Sequence, residues 1–265
     1  MNAKGAEPVS GSGLEVQARR EAVGLDQASF ARTLCVDAGV VAMIEASAEP
    51  VPEWVEHQLS RLEAVSTHVS SSEFLTLSEH RAYELFPRIW TYSSDERFWA
   101  AWPMFNGVPA AVHRASAAYA AYELRGDADI RLFDIDSRTD TIEVAAWRGM
   151  LGMDRRSAVV ALGFEPDAVE GLELFESGTR SPAERVRARL FEVGQLQRRY
   201  VAEMTDDPDR RVLPTYSCDG DFWDAVPMAE GVPACVHRTA AAWASRHFRL
   251  KGRNVPIVDA QTLTA

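Results

Sequence analysis

Apolar positions in residues 149–174 fall at Met150, Leu151 and Met153, then at Val159, Val160 and Leu162, then at Val169, Leu172 and Leu174. These are short i, i+3, i+4 runs, interrupted near Gly152, Gly163 and Pro166, and they predict three short helices with tight connections. A fourth helix is expected from Pro182 to about Met204. Ser181 supplies its N-cap, Pro182 its first position and Glu184 an acidic first turn. The same layout is expected earlier in the chain, with helices over 14–24, 26–34 and 37–47, then one opened by Pro52 and running to about Val65.

The pattern changes after each set. Ile89–Ser93 and Leu213–Ser217 read as short strands, followed by brief helices capped by Asp95 and Asp219 and bearing Phe98-Trp99 and Phe222-Trp223. Gly107-Val108-Pro109 and Gly231-Val232-Pro233 read as turns that start Ala-rich helices over about 110–124 and 234–249. Small Ala faces carrying Tyr119, Tyr122 and Trp243 permit close approach of helices, which suits a pairing interface. Tyr92, Trp99, Tyr216 and Trp223 are assigned to the same interface. The apolar stretches 129–136 and 255–260 close the two sets.

The parallel is a duplication. Residues 91–114 and 215–238 are identical at 16 of 24 positions without a gap, at an offset of 124. Residues 21–46 align more weakly with 149–174 at an offset of 128. A non-periodic shared string such as Val-Pro-Ala-x-Val-His-Arg does not arise from convergence of two Ala-rich helices. The expected organisation is a flexible leader (1–13), a helical unit (14–66) with a pairing module (67–136), and a second helical unit (140–204) with its own pairing module (211–260). A duplicated module builds a two-fold-like surface from one polypeptide.

The helical units resemble helix-turn-helix domains of the lambda-repressor or XRE type. The resemblance rests on Leu162-Gly163-Phe164 at the turn and on Glu176-Ser177-Gly178-Thr179-Arg180-Ser181-Pro182 after the third helix. The first copy matches less well, with Leu34-Cys35-Val36 and Glu45-Ala46-Ser47. With the C-terminal halves included, the chain is similar to the YdiL-like family and the anti-CRISPR-associated (Aca) repressors. Ser116-Ala117-Ala118-Tyr119-Ala120-Ala121-Tyr122 stands where that family has its dimerisation helix. The resemblance implies a mainly α fold. Two lambda-repressor-like bundles would each be followed by a small α+β dimerisation-type module, and the two copies would pair as an intrachain pseudo-dimer. It also implies a repressor that covers an imperfect palindrome with half-sites about one helical turn apart.

Charge complicates that function. The chain carries a net charge of −11, which opposes non-specific adhesion to nucleic acid. The recognition helices implied by the resemblance, Asp37–Glu45 and Pro166–Phe175, contain neither Lys nor Arg. Arg148, Arg155, Arg156 and Arg180 in the second copy, with Arg32 in the first, are the candidate contacts to double-stranded DNA. The alternative is a protein-interaction or adaptor protein whose acidic helices face a basic protein partner. Asp95, His113 and Arg114 recur as Asp219, His237 and Arg238, but no phosphate loop, nucleophile elbow or HExxH motif accompanies them. They are assigned chiefly to structure, with contact to a small ligand or a partner as the remaining alternative, and no enzyme activity or cofactor is expected. Cys35, Cys218 and Cys235 lack metal-ligand spacing and are expected to be small buried or half-buried thiols. The absence of long apolar stretches and of a secretory h-region leads to the expectation of a soluble, cytoplasmic protein, with further oligomerisation left open.

Overall fold

The computed structural model describes residues 12–47, 50–80, 87–124, 130–137, 140–165, 167–177 and 179–263. Most of the expected leader, together with Pro166 and Gly178, lies outside the described residues. Ser12 already belongs to the fold: its hydroxyl accepts from the Glu15 backbone N–H and caps the first helix. The protein is mainly helical. The first copy comprises α1 (Gly13–Ala22), α2 (Gln27–Leu34), α3 (Ala38–Ala46), α4 (Glu53–His80), β1 (Arg88–Thr91), α5 (Asp95–Ala101), α6 (Ala110–Leu124) and β2 (Arg131–Asp134). The second repeats the order with α7 (Glu143–Met150), α8 (Arg155–Ala161), α9 (Val169–Glu176), α10 (Glu184–Thr205), β3 (Leu213–Thr215), α11 (Asp219–Ala225), α12 (Ala234–Leu250) and β4 (Ile257–Asp259). In each copy the two strands pair in parallel, Ile89 opposite Leu132 and Leu213 opposite Ile257.

Local chemistry sets these boundaries. Asp26 and Asp154 cap α2 and α8, each accepting from the Ser N–H three residues on at 2.7 Å. Gly163 follows α8 with φ +72°. In the first copy Cys35 occupies the corresponding turn at φ +56°, a left-handed conformation without glycine's freedom. Helix α4 runs to His80, far past the end expected at Val65. No Pro or Gly interrupts 53–80, and Val55, Leu59, Leu62, Val69 and Leu77 keep one buried stripe throughout. The boundary placed after residue 66 therefore falls inside one continuous helix.

Asp95 does not cap its own helix. Ser94 holds that position and accepts from Arg97 N–H. Asp95 reaches forward to the backbone N–H of Ala110 at 2.6 Å, and Asp219 to that of Ala234 at 2.7 Å. Each carboxylate thus satisfies an otherwise orphaned donor at the start of the long Ala-rich helix.

The two copies interlock. Within a copy α4 packs on α6 and α10 on α12; across copies α1 packs on α12 and α7 on α6. The Ala-rich helices are consequently covered on two sides, and Ala117, Ala118, Ala240 and Ala241 are fully buried. Contacts between the copies are reciprocal. Tyr119 and Trp243, equivalent at the 124 offset, stack at 4.3 Å with their planes 8° apart. Gly24 lies against Gly149, and its counterpart Gly152 against Glu21. A Cβ at Gly24 would stand 2.5 Å from that of Ala115, and one at Gly152 would stand 2.2 Å from Thr239 Cγ2. Both positions have positive φ, so only glycine meets the turn and the close approach together. The copies therefore meet through equivalent elements, α1 on α12 and α7 on α6.

One buried ion pair clamps the crossing. Arg238 on α12 donates Nε and Nη2 to Glu21 on α1 at 2.8 and 2.9 Å, with both side chains less than a tenth exposed. Substituting Glu21→Gln strands the buried guanidinium and should cost about 3–5 kcal/mol of unfolding free energy. The double replacement Glu21→Met with Arg238→Met should cost less than the two single changes combined, as read by urea denaturation. Cys35→Gly should raise stability by about 1 kcal/mol by relieving the left-handed turn, seen as a higher urea midpoint at unchanged slope.

Candidate functional site

The α2–α3 and α8–α9 corners carry the residues expected to contact DNA, and an internal ion pair shapes each corner. Arg20 donates Nε to Glu45 at 2.5 Å and Nη1 to the Leu25 carbonyl at 2.6 Å. The second copy repeats this with Arg148, which donates to Glu176 at 2.6 Å and to the Met153 carbonyl at 2.8 Å. Burial works to raise the Glu176 carboxyl, but Arg148 and Arg155 beside it hold it below the ordinary carboxylate value. Glu45 and Glu176 are thus the acids that tie the third helix to the first. Their spacings from the preceding turn differ because seven residues separate α8 from α9 and only three separate α2 from α3.

These pairs absorb much of the expected basic surface. Arg148 is committed to Glu176. Arg155 bonds Glu173 at 2.6 Å and Glu176 at 2.8 Å. Arg32 donates to the Ser29 hydroxyl, while Arg156 and Arg180 are exposed. The outward residues of α3 are Ala38, Gly39, Ala42, Met43 and Ala46, and those of α9 include Glu170, Glu173 and Leu174. Met43 is 66% exposed.

Between the corners lies an open cavity of about 870 Å³ lined by residues of both copies. The ends of α1 and α7, the starts of α2 and α8, and the first turns of α6 and α12 line it, with Arg114, Arg156 and Arg238 on its wall.

The pairing residues divide into two groups. Tyr119, Tyr122 and Trp243 do lie between the copies: besides the Tyr119–Trp243 stack, Tyr122 meets Trp147 edge-on at 5.9 Å and packs on Phe191. Tyr92, Trp99, Tyr216 and Trp223 do not. Trp99 and Trp223 donate their indole N–H to the carbonyls of Val108 and Val232 at 2.6 and 2.7 Å, closing the turn before the long helix of their own copy. Tyr92 and Tyr216 pack on Phe98 and His113, and on Phe222 and His237, respectively. The ring-to-turn closure holds each module together internally, which explains its repetition without any role between copies.

The repeated polar block is likewise bonded inward. Nδ1 of His113 shares a hydrogen with Thr91 Oγ1 at 3.0 Å, and His237 does the same with Thr215. Burial, reinforced by Arg114, pushes the His113 imidazole down to about 3; burial and Arg238 push His237 down to about 4. Nε2 of His113 faces Glu73 on α4 at 3.8 Å, and burial pushes that carboxyl up to about 7. In the second copy the Tyr200 ring stands against His237, with centroids 4.8 Å apart. Glu73 escaped the sequence reading because it sits outside the repeated block. Cys235 is buried, whereas Cys35 and Cys218 are exposed, contrary to the expectation of shielded thiols: one sits on the α2–α3 turn and the other at the start of α11. No group of three or more His, Cys, Asp or Glu side chains suited to a metal ion occurs among the described residues. No single helix among them is long and apolar enough to cross a membrane. No protein-family model matches the chain, and no curated protein matches it.

Glu73 makes a pH-dependent contribution with a defined sign. Its folded value of about 7 lies above its ordinary 4.5, so the stability it contributes is present at low pH and is lost as pH rises from about 4.5 through 7. His113 and His237 act oppositely: they contribute above 6.5, and that contribution is lost as pH falls through about 4 and 3. The stability difference between Glu73→Gln and the parent chain should therefore shift in favour of the variant between pH 4.5 and 7 and level off above it. Urea midpoints across pH 4 to 8 measure this, and a pH-independent difference would refute the assignment.

Proposed function

We propose that the chain is a helix-turn-helix-type pseudo-dimer that works by binding a protein partner through α3 and α9, rather than by reading DNA bases. The alternative derived from sequence, an adaptor retaining a degenerate helix-turn-helix frame, is thus preferred over a repressor of a palindromic operator. One observation carries this choice: neither α3 nor α9 holds a side chain able to donate a hydrogen bond to a base edge. Base discrimination in the major groove rests largely on Arg, Lys, Asn and Gln donors. The outward face of α3 is small and apolar around Met43, while that of α9 is acidic around Leu174. Carboxylates there are repelled by phosphates, and Arg155 on the neighbouring α8 is already paired with Glu173 and Glu176.

The same surface suits a basic protein segment with an apolar anchor. Exposed Met is adaptable and Leu174 offers buried area, while Glu170 and Glu173 supply complementary charge. The regulator reading retains one supporting feature, the exposed Arg156 and Arg180 beside the second corner, which could serve phosphates without selecting sequence.

A photo-crosslinking residue placed at position 43 or 174 of the full chain should capture protein in cells. The adducts should be sensitive to protease, resistant to nuclease and absent from a control at exposed Asp207. The opposite result would be selection of a defined duplex from a random library, retained at physiological ionic strength and lost in Arg155→Ala with Arg156→Ala. That outcome would restore the repressor.

A further inference from the structure

We propose that the cavity between the corners is a binding site for a small organic anion, whose carboxylate or phosphate docks on Arg114. The inference does not depend on what α3 and α9 contact. It follows from a broken symmetry. Arg114 and Arg238 are equivalent at the 124 offset and begin identically: each donates Nη1 to two carbonyls of its own copy, Tyr92 and Ser93 at 2.7 and 3.4 Å, Tyr216 and Ser217 at 2.9 and 3.3 Å. Arg238 then completes its fork on both oxygens of Glu21. At the 128 offset the counterpart of Glu21 is Gly149, which has no side chain. The Nε and Nη2 groups of Arg114 therefore have no acceptor among the described residues, and Arg114 lines the cavity.

Nearby acids do not fill the gap. Asp95 is taken by the Ala110 N–H, Asp134 by Ser137 and the Asp136 N–H, and Glu176 by Arg148 and Arg155. Burial and then Arg148 weigh against the charge of Arg114, although a guanidinium keeps its proton. A partly buried cation with a vacant two-donor fork matches a planar carboxylate or a phosphate, the bidentate geometry that Arg favours. The Arg238–Glu21 pair, at the equivalent position, shows in covalent form what the occupant supplies. The cavity volume of about 870 Å³ falls within the range of small-molecule pockets, so the ligand has room for a body beyond its anionic end. Arg156 on the same wall offers a second cation toward the rim. The enclosing helices α1 and α7 come from different copies, so occupancy would bear directly on how the copies are held.

Titration of the 15N-labelled full chain with inorganic phosphate and, separately, with succinate tests the site. At least one probe should shift the Arg114 Nε–H resonance saturably, and the relative response identifies phosphate or carboxylate as the better fit. Gly149→Glu places an internal carboxylate where Glu21 stands in the other copy. A Cβ there meets the nearest atom, Ala115 Cβ, at 3.6 Å, ordinary van der Waals contact. The variant should weaken binding about tenfold or more while raising the melting temperature. Arg114→Gln should abolish binding without the gain in stability. Failure of both probes to move the Arg114 signal in the parent chain, or equal affinity in Gly149→Glu, would overturn the proposal.

Discussion

Two alanine-rich helices, α6 and α12, have too little side chain to bury themselves from one side, and this requirement governs the molecule. Each receives the long helix of its own copy on one face and the first helix of the other copy on another. Small residues allow the backbones to approach, and Gly24 and Gly152 remove the last obstruction where the α1–α2 and α7–α8 turns ride over the long helices. The aromatic stack of Tyr119 on Trp243 and the Arg238–Glu21 clamp then fix the register of the crossing. The cavity, its arginines and the two outward helices take their positions from this interlock.

Much of the architecture was legible in the chain because periodicity and capping are local. Helix α6 begins and ends where the Ala-rich pattern does, and α2, α3 and α10 lie within a few residues of the expected spans. Helix α4 ran on because its buried stripe continues through a Ser/Thr-rich segment that looks like a linker in composition. The long-range information was not legible. Nothing local assigns α1 to α12, separates Tyr119 from Tyr92 as interface and interior rings, or directs Asp95 past its own helix to Ala110. Two of the arginines that resembled a basic face, Arg148 and Arg155, are counter-ions of Glu173 and Glu176, acids brought close only by α9 folding back onto α7 and α8. The vacancy opposite Arg114 was visible in principle: two alignments at different offsets place Arg238 with Glu21, but Arg114 with Gly149.

The copies have diverged in how they solve the same contact. In the first, Arg19 is 2% exposed and bonds Glu63 at 2.9 Å and Glu56 at 2.6 Å; Glu63 also receives Arg249 of the second copy at 2.8 Å. In the second, the equivalent of Arg19 is Trp147, which packs on Tyr122. The α1 side is therefore held by a charged network, whereas the α7 side combines aromatic area with ion pairs of its own, Glu143 receiving Arg187 at 2.9 Å and lying 3.9 Å from Arg131 of the first copy.

The crossing of α1 onto α12 also dictates when the protein can fold. Helix α1 waits for a surface made far later in the chain; even the Ser12 hydroxyl bonds the Ile257 carbonyl, 245 residues on. Until α12 emerges, the buried charges of Arg19 and Glu21 and the apolar face of α1 lack part of their cover. Loop closure over such a span slows folding relative to a chain of two self-contained repeats. Closing these contacts is thus a long-range event that needs both copies, although their elements are arranged in series.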